Sequence, residues 1–165
     1  MKSWYLIYCK PQQEGVAKDN LERQSYSVYL PLVSVRRRRK GKTVRIVDPL
    51  FPRYLFINLS DHTDDWGPIR STIGVSSLVR FGQVPAQIPV SLIEGLRERE
   101  DSDGIQELPE QGFKIGDKVR IAEGVMEGFE AIFQCRKSNE RVILLLKIAE
   151  NTAKIEIESN QIEPT

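Results

Sequence analysis

The stretch Gly116-Asp117-Lys118-Val119-Arg120-Ile121 constrains the fold of this chain more than any other segment. It is followed by Gly124 and then by Glu127-Gly128-Phe129-Glu130-Ala131-Ile132-Phe133. Two short apolar runs flank a glycine-marked turn, and the second run opens on another glycine. Glycine enters the φ > 0 region without steric cost, so this spacing reads as the opening hairpin of a small β-barrel. It predicts a compact C-terminal module over 114–165, too small for an enzyme and suited to an adaptor.

The same letters also satisfy a helix. Alternation is met by Val119 and Ile121, by Ala131 and Phe133, by Val142, Leu144, Leu146 and Ile148, and by Ile155 and Ile157. Helical spacing is met by Ile121, Val125, Phe129, Ile132 and Phe133, and by Val142, Leu145, Leu146, Ala149 and Ala153. No proline stands between Pro109 and Pro164 to forbid helices. Gly124 and Gly128 would each cost about 1 kcal/mol in a helix interior, so such helices need packing against something apolar. The pattern leaves both forms open.

The charge is divided along the chain. Residues 1–100 carry 16 Lys+Arg against 10 Asp+Glu, or +6, and residues 101–165 carry 8 against 13, or −5. The first part can meet a polyanion, the second cannot easily do so, and the two can attract each other. The sign changes at Glu100-Asp101-Ser102-Asp103-Gly104, and the polar run to Gly112 contains Pro109. This predicts a domain over 1–100, a linker over 101–113 and the C-terminal module. No run of about 18 apolar residues and no signal-peptide core occurs, and Cys9 and Cys135 are too far apart in sequence for a metal knuckle or a redox pair. The expectation is a cytoplasmic monomer without cofactor or metal.

In the first part, strands are expected at Ser3–Cys9, Val28–Val35, Thr43–Val47, Phe51–Leu59 and near Leu78–Phe81. Helices are expected from Pro11 to about Ser25, near Asp64–Ser71 and over Val90–Glu100. Mixed strands and helices around hairpins predict an α+β sandwich. His62, the single histidine, lies in a polar loop, and no nucleophile elbow, phosphate-cradling loop or paired metal-ligand motif occurs. The chain does not read as an enzyme.

Three constellations remain. On Tyr54–Leu59, Leu55, Ile57 and Leu59 share one side of the strand, and Tyr54 and Phe56 share the other. With Phe51 and Tyr8, these aromatics form a second apolar surface, covered either by the chain's own helices or by another protein. The basic run Arg36–Lys42 reads equally as a solvated hairpin tip or as a phosphate contact. On the first helix, Gln13, Asn20 and Gln24 fall within roughly 40° of one another, with Lys10 and Arg23 beside them. Amides suit base edges and cations suit phosphates, although a solvated helix face would look the same.

Taken together, Ser3-Trp4-Tyr5-Leu6-Ile7-Tyr8, Pro49-Leu50-Phe51-Pro52-Arg53-Tyr54-Leu55-Phe56 and the C-terminal glycine-punctuated hairpin resemble the NusG family of transcription elongation factors, over essentially the whole length. The resemblance implies an N-terminal NusG-type domain and a C-terminal KOW domain. Met1 to Lys10 and Val75 to Gly82 are most similar to the family's specialised, operon-specific branch, and Ile148–Ala153 departs from the general factor's pattern. That branch implies recruitment to paused RNA polymerase through an element in the non-template DNA strand. The DNA-reading positions it implies are Lys10, Gln13, Asn20, Arg23, Gln24 and Thr72, with Arg70 as a nearby cation. Asn20 stands where a histidine is usual, and Val16 and Ile73 where arginines are. Tyr8, Phe51, Tyr54 and Phe56 match the patch that docks on the polymerase clamp helices. The family's Thr-rich loop on the other side of the clamp maps to Asp65–Pro68 and is not kept. The branch further implies a C-terminal helical hairpin over the patch, packed through Val125, Phe129, Ile132, Phe133, Leu145 and Leu146. An Asp48–Arg141 ion pair would lock it. After release it would form a five-stranded KOW barrel that binds a small-subunit ribosomal protein.

Overall fold

The computed structural model describes residues 2–60, 64–107, 129, 131–133, 135 and 137–161, the last nine by backbone alone. His62, Val125, Gly124, Gly128 and residues 108–113 of the expected linker lie outside the described residues.

The centre is a five-stranded antiparallel sheet. Its strands are β1 (Lys2–Cys9), β2 (Ser27–Tyr29), β5 (Tyr54–Ser60), β6 (Val75–Leu78) and β9 (Gln87–Ile88). The order is β2-β5-β1-β6, and β9 pairs with β1 at Trp4 and Tyr5. Alternation along β1 and β5 sorts their side chains into two cores. Tyr5, Ile7, Cys9, Leu55, Ile57 and Leu59 pack with Ala17 and Leu21 of α1 (Glu14–Arg23). On the other face Trp4, Leu6 and Phe56 pack with Leu92, Ile93 and Leu96 of α2 (Val90–Glu98). Each such apolar side chain contributes about 1.5–3 kcal/mol relative to exposure.

The expected strand at Val28–Val35 is two strands in two sheets. Pro31 has no N–H for a ladder, so the chain breaks there and β3 (Leu32–Arg39) starts a new sheet. β3 and β4 (Lys42–Pro49) form a long ribbon in register from Leu32↔Pro49 to Arg39↔Lys42. Its turn is only Lys40-Gly41, both at positive φ (51° and 77°), the two-residue geometry that suits strand twist. Arg36 to Arg39 are therefore strand residues rather than the tip. The remaining short strands β7 (Arg80–Phe81) and β8 (Val84–Pro85) make a small hairpin.

The boundary near residue 100 also moves. β10 (Ile105–Glu107) runs parallel to β3, with Gln106 buried and its Nε2 donating to Leu96 O at 3.3 Å. The expected linker thus begins as an integral strand, because a buried amide and a ladder hold it in place.

In the C-terminal half, residues 129 and 131–133 are helical, and α3 (Ser138–Gln161) follows. The alternating run Val142–Ile148 is helical here, and its i, i+3, i+4 stripe sets the packing. Leu145 and Ala149 are fully buried, and Val142, Leu146 and Ile148 lie partly buried against the same core. No described helix is long and apolar enough to cross a membrane.

Candidate functional site

The first candidate face is built on α1 and the loop before β6. Lys10 is exposed and its backbone N–H donates to Gly74 O at 2.9 Å. Asn20 Nδ2 donates to Val16 O at 2.8 Å, and Gln24 Nε2 donates to Asn20 O at 3.1 Å and to Thr72 Oγ1 at 2.8 Å. Thr72, itself buried, donates to Pro68 O at 2.9 Å, at the end of a 3-10 helix (Gly67–Ser71). Asn20 and Gln24 are thus linked to each other, Thr72 joins Gln24 across 48 residues of sequence, Gln13 is the N-cap of α1, and Arg23 and Arg70 are exposed.

Gly74, which builds this face, was not singled out from the sequence, and Glu14, expected to pair with Lys18 at i,i+4, does not, since Lys18 meets Glu22. Gly74 sits at φ +93°, and a Cβ on it would lie 2.7 Å from the Ala17 backbone nitrogen. Glycine is required here twice, for the left-handed conformation and for the close approach. Glu14 is buried at the start of α1 and accepts from the Arg53 backbone N–H at 3.3 Å. Arg53, at φ +72°, donates from Nε to Cys9 O and lies over the Tyr8 ring at 4.2 Å. Burial first, and Glu14 second, push the Cys9 thiol up to about 12. Only the Thr-Ile-Gly order at 72–74 hinted at the glycine, and nothing in the spacing marked Glu14 as buried.

The second face is the aromatic one. Tyr8 and Tyr54 face each other across β1 and β5 with ring centroids 5.1 Å apart. Phe51 and Phe56 meet edge to face at 5.9 Å and are buried to 1% and 0% exposure. Their cover comes from the same chain: Phe129, Ile132, Leu145 and Ala149 belong to the same buried cluster, with Phe133 and Leu146 at its margin. Of the alternatives left open for this surface, the described residues therefore fill it from within. Phe133 occupies the space over Gly95 of α2, where a Cβ would come within 2.8 Å of its ring, and Arg99 lies 3.9 Å over that ring.

The expected Asp48–Arg141 ion pair is not made. Arg141 is 2% exposed and donates from Nε to Leu50 O and from Nη1 to Cys135 O, both at 2.9 Å. Asp48 instead meets Arg37 across the ribbon at 3.4 Å. The two residues do line one cavity of about 270 Å³, together with Gln12, Glu14, Pro52 and Ser138. The physical reason is burial: a guanidinium taken out of water needs fixed acceptors, and two carbonyls at its own depth supply them, whereas Asp48 has a nearer cation on the adjacent strand. Burial lowers the Arg141 pKa from its ordinary value.

The basic ribbon is solvated along its length. Arg36 to Lys42 are all exposed, and of these Arg37 is engaged by Asp48.

The fold carries amides and cations on one side of the central sheet and a covered aromatic surface on the other. The NusG family profile, described as transcription termination factor nusG, matches residues 2–97. The chain belongs to the NusG family. Among curated relatives, the transcription termination/antitermination protein NusG of Rickettsia conorii is 19% identical over 99% of this chain and 90% of its own length. That of Halalkalibacterium halodurans is 23% identical over 98% of each. A solved structure described as domain interaction in Thermotoga maritima NusG aligns over 71% of this chain and 70% of its own, at 22% identity and a TM-score of 0.45.

Proposed function

We propose that this chain is a transcription elongation and antitermination factor that acts on RNA polymerase, of the operon-specific kind represented in the NusG family by RfaH. In this reading it joins a paused polymerase through an element in the single-stranded non-template DNA and increases processivity. The α1 face, with Lys10, Gln13, Asn20, Arg23, Gln24, Arg70 and Thr72, reads that element. Tyr8, Phe51, Tyr54 and Phe56 dock on the clamp helices.

One observation carries the reading. The aromatic surface assigned to the polymerase is packed under Phe129, Ile132, Leu145 and Ala149 of the same chain. A factor arranged this way is closed until its cover is displaced, while the α1 face, on the opposite side of the sheet, stays available to a recruiting DNA strand. Once released, residues 114–165 refold as a five-stranded KOW barrel and bind a small-subunit ribosomal protein, coupling transcription to translation. Support for the second form is the alternation of Val142, Leu144, Leu146 and Ile148, which a helix does not need.

The names of the relatives fit equally a second reading, a general NusG-like factor with a permanently folded barrel. Gel-shift of stalled elongation complexes separates the two. The proposal expects binding only when the non-template strand carries the recruiting element, and equal binding with and without it would support the general factor instead.

A further inference from the structure

The β3–β4 ribbon carries its positive charge bare. From Leu32 to Val47 the sequence has no carboxylate, and between Tyr29 and Phe51 it has no aromatic residue. Val33 and Ser34 are buried at the base, whereas every residue from Arg36 to Arg45 is exposed. Neither face of this outer part is therefore packed against the described residues. The arm is also stiff. Its ladder keeps register up to the Lys40-Gly41 turn, and the Leu50 N–H closes the base by donating to Pro31 O at 2.8 Å.

Register sorts the cations onto two faces. Directly opposite residues share a face, so Arg36, Arg38 and Arg45 lie on one side and Arg37, Arg39 and Lys42 on the other. Arg36 stands opposite Arg45, and Arg39 opposite Lys42; like charges placed this way destabilise a ladder. Carboxylates reach only Arg37, through Asp48 at 3.4 Å, and Arg45, through Asp101 at 3.7 Å. Among the described residues none forms an ion pair with Arg36, Arg38, Arg39, Lys40 or Lys42.

Cations on both faces suit anions on both sides, and the dimensions select the polyanion. Two strands about 4.8 Å apart fit the major groove of B-form DNA, about 12 Å wide and walled on each side by phosphates. Four exposed residues on each strand, from Arg36 to Arg39 and from Lys42 to Arg45, reach about 14 Å, more than the groove depth of about 8.5 Å. The major groove of double-stranded RNA is too narrow for side chains to enter, and proteins that hold single strands stack the bases on aromatic rings, which this ribbon lacks.

We propose that this arm is a second nucleic-acid site, built of different elements from the α1 face, that enters the major groove of double-stranded DNA and holds phosphates on both walls through Arg36, Arg38, Arg39, Lys40 and Lys42. Phosphate contacts carry no base preference, so the arm fixes the protein on a duplex of any sequence. It does not rest on the reading of the α1 face.

The test is fluorescence anisotropy of the full chain with a labelled duplex of about twenty base pairs and arbitrary sequence, over about 50–200 mM salt. Each phosphate contact adds about 0.9 to the slope of log affinity against log salt. Arg36→Gln, Arg38→Gln and Arg39→Gln together lower that slope by about 2.7 and weaken duplex binding about tenfold or more at about 50 mM salt. The thermal midpoint of the triple variant holds or rises, because both like-charge pairs are gone. Should it fall, Arg38→Gln with Arg39→Gln alone gives the same reading, with the slope lowered by about 1.8. A wild type that does not bind the duplex overturns the inference, as does a variant that binds it equally well. A loss as large for a single strand or an RNA duplex as for the DNA duplex overturns the choice of groove. Amide NMR places the contact: the duplex shifts Arg36 to Lys42, and shifts confined to Lys10, Asn20 and Gln24 overturn the arm while leaving the α1 reading in place.

Discussion

Gly74 fixes the seating of the loop before β6 on α1 from a single backbone position. Any side chain there meets the Ala17 backbone, so Gly74→Ala must either move the loop away from α1 or strain it. The expected cost is about 1–3 kcal/mol, read as a lower urea midpoint. The same change weakens oligonucleotide binding, because Thr72 and Ile73 leave the helix together. Cys9 makes a different prediction. Its thiol is pushed up to about 12 in the folded chain, against an ordinary 9.0. Between those values the folded state keeps a proton that the unfolded state has lost, so stability present below pH 9.0 declines as the pH rises towards 12. Burial raises the Tyr29 and Tyr54 hydroxyls in the same direction. Urea melts at about pH 8 and about pH 10.5 should show the decline, and Cys9→Ala should reduce its slope. None of this was visible in the spacing of the sequence, since left-handed φ values and buried thiols depend on what the chain folds against.

At the scale of elements, Arg141 of α3 and the Phe133 ring that precedes the helix are two fastenings of the C-terminal residues, beside the buried Leu145 and Ala149. Arg141→Gln removes hydrogen bonds to Leu50 O and Cys135 O and leaves buried carbonyls without their donor. A loss of about 1.5–3 kcal/mol per charged hydrogen bond is expected for closure, seen as new C-terminal NMR resonances in the free protein. Asp48→Asn, which touches only the exposed Arg37 contact, should leave those resonances in place. Gly95→Ala isolates the ring. It favours α2 by about 1 kcal/mol in helix propensity while placing a methyl 2.8 Å from Phe133. The N-terminal part should keep or gain thermal stability while its C-terminal cover loosens, a split that hydrogen exchange on the two parts can measure. Legibility at this scale was uneven. The aromatic and aliphatic sides of β5 were readable because a strand has a strict period of two. The break at Pro31 was missed because aliphatic residues continue on both sides of it, and the choice of helix for Val142–Ile148 was unreadable because both periods fit and tertiary packing decides.

For the whole molecule, the division into two charged parts is real in the sequence, yet the structural boundary falls later than the change of sign. A chain ended after Glu107 keeps β10 on β3 and should fold, whereas one ended at Glu100 loses the buried Gln106 amide and the parallel ladder. The longer fragment should bind a hydrophobic dye that the full chain does not, because removing the C-terminal helices uncovers Phe51 and Phe56. It should also engage polymerase without a recruiting element. The resemblance to the family implies a fastening by an Asp48–Arg141 ion pair, and the fastening found at Arg141 is a different one. Arg141 grips main-chain oxygens, one from Leu50 of the N-terminal part. Every amino acid carries such an oxygen, so drift at position 50 cannot delete the acceptor, and inheritance of the latch rests on a single codon, that of the arginine.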